Sequence, residues 1–268
     1  MRQSSESMEE KTMVYTDIEV HTNGAVSTIT LNRPEVMNAL NPNVILELID
    51  ALRTVETNKE IKVVVLQGAG GNFSSGADRK LFMEDHSSPE WLEGMRHFAR
   101  LVRKLREIPQ PIVTRIQGVA MGAGSNLALA GDFVIAAHNM RFRENFVHIG
   151  VILDSGGTYF LPRLVGMAKA RELAFLGNEI DGRMAVSMGL VYKSVPEEEM
   201  DREIELLTNT LAQKSLSSLS LIKEGLEESF NKNLKEILEW EAAHQAIMLR
   251  TKEHRDIVQF LQTMKGKE

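Results

Sequence analysis

The chain has 268 residues, of which 43% are apolar and 25% charged, with a formal net charge of −6 and no cysteine. This composition suits one large globular domain, or one core with a helical appendage. It excludes disulfides, thiolate nucleophiles and cysteine-ligated metals, and the lack of a basic stripe argues against nucleic acid as a partner.

Residues 1–12 are polar and acidic, with no apolar stretch that would make a signal peptide, and are expected to form a flexible leader. No apolar run approaches the ~20 residues of a membrane span, so the expected location is the cytoplasm, with no membrane partner. Residues 14–21 and 25–31 read as strands joined by a hairpin at Asn23 and Gly24, which both tolerate positive φ. Asn41 followed by Pro42 predicts a helix start, and Ile45, Ile49, Leu52 and Val55 continue at helical spacing. The unbroken apolar run Val63, Val64, Val65, Leu66 predicts a strand covered on both faces. Ser88 and Pro89 open a second helix with Trp91, Met95, Phe98, Val102 and Leu105 on one side, and residues 112–116 and 132–137 read as further strands. This alternation predicts an α/β core over residues 13–200. Residues 201–268 read as helices alone, and with no flexible linker before them they are expected to pack on the core or on a partner subunit. No repeat with a clean period is visible.

Three glycine-rich segments stand out at residues 68–80, 118–131 and 150–158. Neither of the first two is a dinucleotide fingerprint, because the third glycine of that pattern falls on Phe73 in one and Leu127 in the other. No phosphate loop is present either. Such segments serve as tight turns. They also bring backbone N–H groups close to a ligand, and two N–H groups converging on one oxygen make an oxyanion hole.

Read together, these segments resemble the crotonase superfamily of enoyl-CoA hydratases and isomerases. Residues 29–41 (ITLNRPEVMNALN) resemble the family's opening motif and residues 73–78 (FSSGAD) its first oxyanion segment. Residues 117–124 (QGVAMGAG) resemble the second, and residues 150–163 a third signature. The resemblance implies a spiral of ββα units and a helical C-terminal region used in assembly, as a homotrimer or a dimer of trimers. It implies an acyl-CoA thioester as substrate, with no metal and no further cofactor. The backbone N–H groups of Ala77 and Ala123 fall where the family builds its oxyanion hole. Met37, Ala39, Asp78 and Arg79 fall where it contacts CoA. Phe260 matches an aromatic position of the last helix, and Lys265 lies two residues beyond the place of a lysine.

The chain departs from the hydratase pattern at two pocket positions. Asn126 and Phe146 stand where hydratases of the family carry their two glutamates, and neither moves a proton. Asp154 instead stands four residues after Gly150, where isomerases of the family use a carboxylate. The leading expectation is double-bond isomerisation with Asp154 as proton shuttle. Hydration and a non-catalytic acyl-CoA-binding scaffold are the alternatives. On residue chemistry alone, Asp154 reads equally well as a helix N-cap before Ser155, Gly156 and Gly157. Glu144 is expected on the surface or at a cap, His148 satisfied or partly exposed, and His86 in a solvated loop.

Overall fold

The first hairpin forms where Asn23 and Gly24 predict it. Strands β1 (Ile18–Asn23) and β2 (Val26–Leu31) pair antiparallel, with Gly24 in the turn at φ 55°. The structure is a computed structural model that describes residues 13–265, with side chains through residue 262. The leader expected over residues 1–12 lies outside the described residues.

β1 begins at Ile18 and not at residue 14, and the cause lies in the next helix, α1 (Pro42–Thr57). The buried Glu47 carboxylate accepts the N–H groups of Thr16, Asp17 and Ile18, the Thr16 hydroxyl and the Asn43 amide, at 2.8–3.0 Å. These donors bind a side chain, so the segment folds over α1 and does not lengthen the sheet. Glu47→Ala is therefore expected to cost on the order of 3 kcal/mol, because buried donors lose a charged acceptor. Urea denaturation checks this, and a loss below about 1 kcal/mol would show that solvent satisfies the segment equally well. At the start of α1, Asn41 caps the Val44 N–H at 2.7 Å and Pro42 occupies the first turn.

The chain then repeats one pattern. β3 (Val63–Gly68) leads through a loop to α2 (Ser88–Glu107). β4 (Ile112–Ile116) and β5 (Val119–Met121) lead to α3 (Ala123–Leu129), and β6 (Phe133–Ala137) and β7 (Arg141–Arg143) lead to α4 (Gly157–Leu176), which bends at Gly166. A short helix α5 (Gly182–Ser187) precedes β8 (Lys193–Val195). The main sheet runs β1-β2-β3-β4-β6-β8 and is parallel throughout except at the β1–β2 hairpin. A second layer is built from the segments between strand and helix: Leu40 bridges Ala77, Ser74 bridges Ala120, and β5 pairs with β7 in parallel. Each turn of the spiral is thus strand, short extended segment, helix.

Both faces of the main sheet are covered, as the apolar run at residues 63–66 predicts. Val64 and Leu66 enter the core against α1, α2 and α3. Val63 faces the other way with Val113, Ile135 and Val195, onto Met200 and Leu211 of α6 (Met200–Ala212). Helices α7 (Leu216–Glu228), α8 (Leu234–Met248) and α9 (Lys252–Lys265) complete the chain. α7 is tied to the core by charge: Lys223 Nζ donates to Asp132 at 2.8 Å and to the Leu105 carbonyl at 3.0 Å, and Tyr159 donates to Glu227 at 3.1 Å. Among the described residues, no helix is long and apolar enough to cross a membrane.

Candidate active site

The first two glycine segments meet at the start of α3. Gly76 has φ 94°, and a methyl group there would sit 2.6 Å from the Met121 carbonyl oxygen and 3.6 Å from the Ala123 nitrogen. Residues 76 and 77 therefore lie flush against residues 121–123. The Met121 N–H donates to the Ser74 carbonyl at 3.0 Å and holds the two segments in register. On the other side, the Leu40 N–H donates to the Gly76 carbonyl and the Asp78 N–H to the Leu40 carbonyl, which fixes Ala77 between them. Gly122, at φ 54°, turns the chain into α3, and Ala123 is the first helical residue, whose N–H has no acceptor within the helix. Among the described residues, neither the Ala77 nor the Ala123 N–H has a hydrogen-bond acceptor.

The third segment reaches the same helix from the side. Asn126 of α3 is fully buried, and its amide donates to the main-chain carbonyl of Asp154 at 2.9 Å. A methyl on Gly157 would collide with that amide at 2.5 Å, so only glycine lets α4 start here. The Asp154 side chain is half-buried, and among the described residues its one side-chain partner is the Ser155 hydroxyl, donating at 2.8 Å. The N-cap of α4 is Gly156, with no side-chain cap. Capping by Asp154 is thus not realised, because the left-handed backbone of Ser155 and Gly156 (φ 50° and 91°) carries the chain away before the helix begins. Burial raises the Asp154 carboxyl above its ordinary range, against the lowering effect of the Ser155 hydrogen bond.

Phe146 is buried, with its ring beside Gly122. Glu144 departs from its expected surface place. It is 1% exposed, 3.1 Å from the Ser125 hydroxyl and 3.3 Å from the Asn126 amide nitrogen. Burial raises its pKa to about 8; the Ser125 and Asn126 hydrogen bonds oppose this and the Asp154 charge adds to it. His148 is exposed and hydrogen-bonds the Gly177 carbonyl, and the His86 ring packs edge-on against Trp91 at 5.1 Å.

The loop before α1 is held mainly by Arg33, which donates to the Ala39 carbonyl at 2.6 Å and to Asp78 at 2.9 Å. Burial would raise the Asp78 carboxyl, but the Lys80 N–H and Arg33 outweigh it and hold it below its ordinary value. Met37, at φ 51°, accepts the Ser75 N–H and leaves its side chain half exposed, and Arg79 is exposed. Phe260 projects from α9, 60% exposed. Lys265 ends α9, but its side chain lies outside the described residues. Among the described residues, no three His, Asp or Glu side chains are grouped so as to hold a metal ion.

Comparison with known proteins places this geometry. The enoyl-CoA hydratase of Polaromonas sp. JS666 superposes with a TM-score of 0.87 at 30% identity, covering 92% of this chain and 97% of that one. The chain is 36% identical to the 1,2-epoxyphenylacetyl-CoA isomerase of Escherichia coli (strain K12) over 239 residues, which is 88% of this chain and 91% of that protein. It is 29% identical to the crotonyl-CoA hydratase of Syntrophomonas wolfei over 256 residues, 95% of this chain and 98% of that protein. The family model described as enoyl-CoA hydratase/isomerase matches residues 21–267. The spiral is the crotonase fold. The chain belongs to the enoyl-CoA hydratase/isomerase family and is an enzyme of that superfamily.

Proposed function

We propose that the enzyme moves a carbon–carbon double bond along an acyl-CoA thioester, with Asp154 as the shuttle. The thioester makes its α-proton acidic by delocalising charge onto the carbonyl oxygen. Asp154 takes the proton from C2 of a 3-enoyl thioester, breaking the C–H bond. The electrons form a dienolate whose oxygen is held by the N–H groups of Ala77 and Ala123, and the protonated Asp154, which exchanges with solvent, delivers a proton at C4. One carboxylate suffices because no group is added or lost. The observation that carries this reading is the Asp154 carboxyl itself: half-buried, not used as a cap, and on a residue whose main chain is held by Asn126, which does not transfer a proton.

CoA is held at the loop carrying Met37, Ala39, Asp78 and Arg79, with Phe260 of the last helix and the nearby Lys265 as further candidates for its contacts. No metal or further cofactor takes part. The exposed apolar side chains of α7–α9 and their connections, including Leu226, Phe230, Leu238, Ile247 and Leu261, support assembly through residues 201–268 into trimers or paired trimers. Hydration is the second reading, favoured by Glu144, which places a second carboxyl behind Asn126.

Incubation with a 3-enoyl-CoA and a 2-enoyl-CoA in D2O separates the two readings. Migration of the double bond, with deuterium entering at the carbons that exchange protons, is expected. Addition of water without migration would replace isomerase by hydratase. The oxyanion hole has its own test in Gly76→Ala, whose methyl is driven into the Met121 carbonyl at a left-handed φ. We expect kcat to fall by roughly a hundredfold, the effect of losing one oxyanion donor, with KM changed far less. An unaltered kcat would place the thioester oxygen elsewhere.

A further inference from the structure

One titratable group of the pocket has no part in the shuttle. Glu144 has no cationic partner among the described residues, and its carboxyl is closed off by neutral groups of α3. The Ser125 hydroxyl has one hydrogen and lies near three acceptors: the Gly122 carbonyl at 2.6 Å, Glu144 at 3.1 Å and the Arg143 carbonyl at 3.3 Å. The shortest contact claims that hydrogen. With its hydrogen on the Gly122 carbonyl, Ser125 Oγ presents a lone pair to Glu144, and a protonated carboxyl donates to it. The other oxygen of Glu144 accepts from the Asn126 amide, whose second hydrogen goes to the Asp154 carbonyl.

We propose that Glu144 is a positioning residue that remains a neutral acid through turnover, turning the Asn126 amide onto the Asp154 main chain and leaving Asp154 as the single negative charge of the pocket. The inference rests on the Asp154 reading above. A neutral Glu144 fills both hydrogen-bond sites offered by α3. An ionised one would compete with the Gly122 carbonyl for the single Ser125 hydrogen and would set a second anion beside Asp154 and the enolate. The groups around it agree with this. α3 offers only Ser125 and Asn126, and the Gly150–Gly156 loop offers Asp154. Arg143 and His148 lie on its backbone side, bonded to the Gly177 carbonyl and to each other. The raised pKa of Glu144 points the same way.

The test is the pH dependence of isomerisation in wild type, Glu144→Gln and Glu144→Ala, with Asp154→Asn as reference. In wild type, kcat is expected to fall as Glu144 ionises at alkaline pH. Glutamine mimics the neutral acid, donating to Ser125 and accepting from Asn126, so Glu144→Gln should lose this alkaline fall. Glu144→Ala should lower kcat about tenfold with little change in KM, and Glu144→Gln should restore most of that loss at neutral pH. An infrared difference spectrum at pH 7 reads the proton directly, without turnover: wild type should show a carboxylic acid carbonyl band absent from Glu144→Gln. An unchanged alkaline limb in Glu144→Gln, or no such band, overturns the proposal. Exchange that survives in Asp154→Asn instead overturns the shuttle itself, while the infrared band still reports on Glu144.

Discussion

Asp154→Asn lowers both double-bond migration and deuterium uptake by about a thousandfold, the middle of the range for losing a positioned acid–base group. The amide has the shape of the carboxylate but does not carry a proton between carbons. The fold around it should persist, because the segment is anchored through main-chain atoms: the Asp154 carbonyl accepts the Asn126 amide and the Gly157 N–H, both at 2.9 Å. Binding of a CoA thioester should therefore change little while turnover collapses. Residual activity within tenfold of wild type would show that another group moves the proton. The pH profile has a definite direction too. Asp154 must be ionised to accept the first proton, and burial raises its pKa, so the acid limb of kcat should lie above the ordinary carboxylate range.

Glu144→Gln removes a pH-dependent destabilisation worth up to about 5 kcal/mol. The folded-state pKa of Glu144 is about 8, against 4.5 for the free side chain. Between these values the folded chain keeps a proton that the unfolded chain has released. The folded state thus binds more protons, so stability falls as pH rises through this window. Below the window both states are neutral at this site and nothing is lost. Above it the full cost is present. Asp154 is shifted in the same direction and is present in both proteins, and its charge is part of what raises Glu144. The gap between Glu144→Gln and wild type in urea denaturation, at fixed protein concentration, should widen steadily from pH 5 to pH 8. Parallel stability curves would mean that Glu144 is already ionised in the folded protein.

Much of the local structure follows from short-range chemistry. Gly24 permits the hairpin turn, Asn41 and Pro42 start α1, and the run from Val63 to Leu66 has no polar residue to offer to solvent. The glycines of the oxyanion segments act locally as well. Gly76 and Gly122 take left-handed backbone that other residues rarely adopt, which is why those segments stood out in the chain. The spiral was not legible as a repeat. Its units begin at Val26, Val63, Ile112 and Phe133, unevenly spaced, because each shares a backbone pattern and not a side-chain pattern.

Two residues show where the sequence stops deciding. Glu144 sits between Arg143 and Asn145, and polar neighbours read as surface. Its burial comes from Ser125 and Asn126, 19 and 18 residues away along the chain, and from the loop bearing Asp154. Asp154 stands where an N-cap is favoured, and the left-handed turn at Ser155 and Gly156 keeps its side chain from capping α4. The amino-acid sequence by itself determined most of the elements, the glycine turns before α3 and the family, because propensity and glycine conformation act within a few residues. The tertiary structure alone decided which carboxyl is buried, which is free to titrate and how they are linked, because desolvation and charge depend on what distant segments bring alongside.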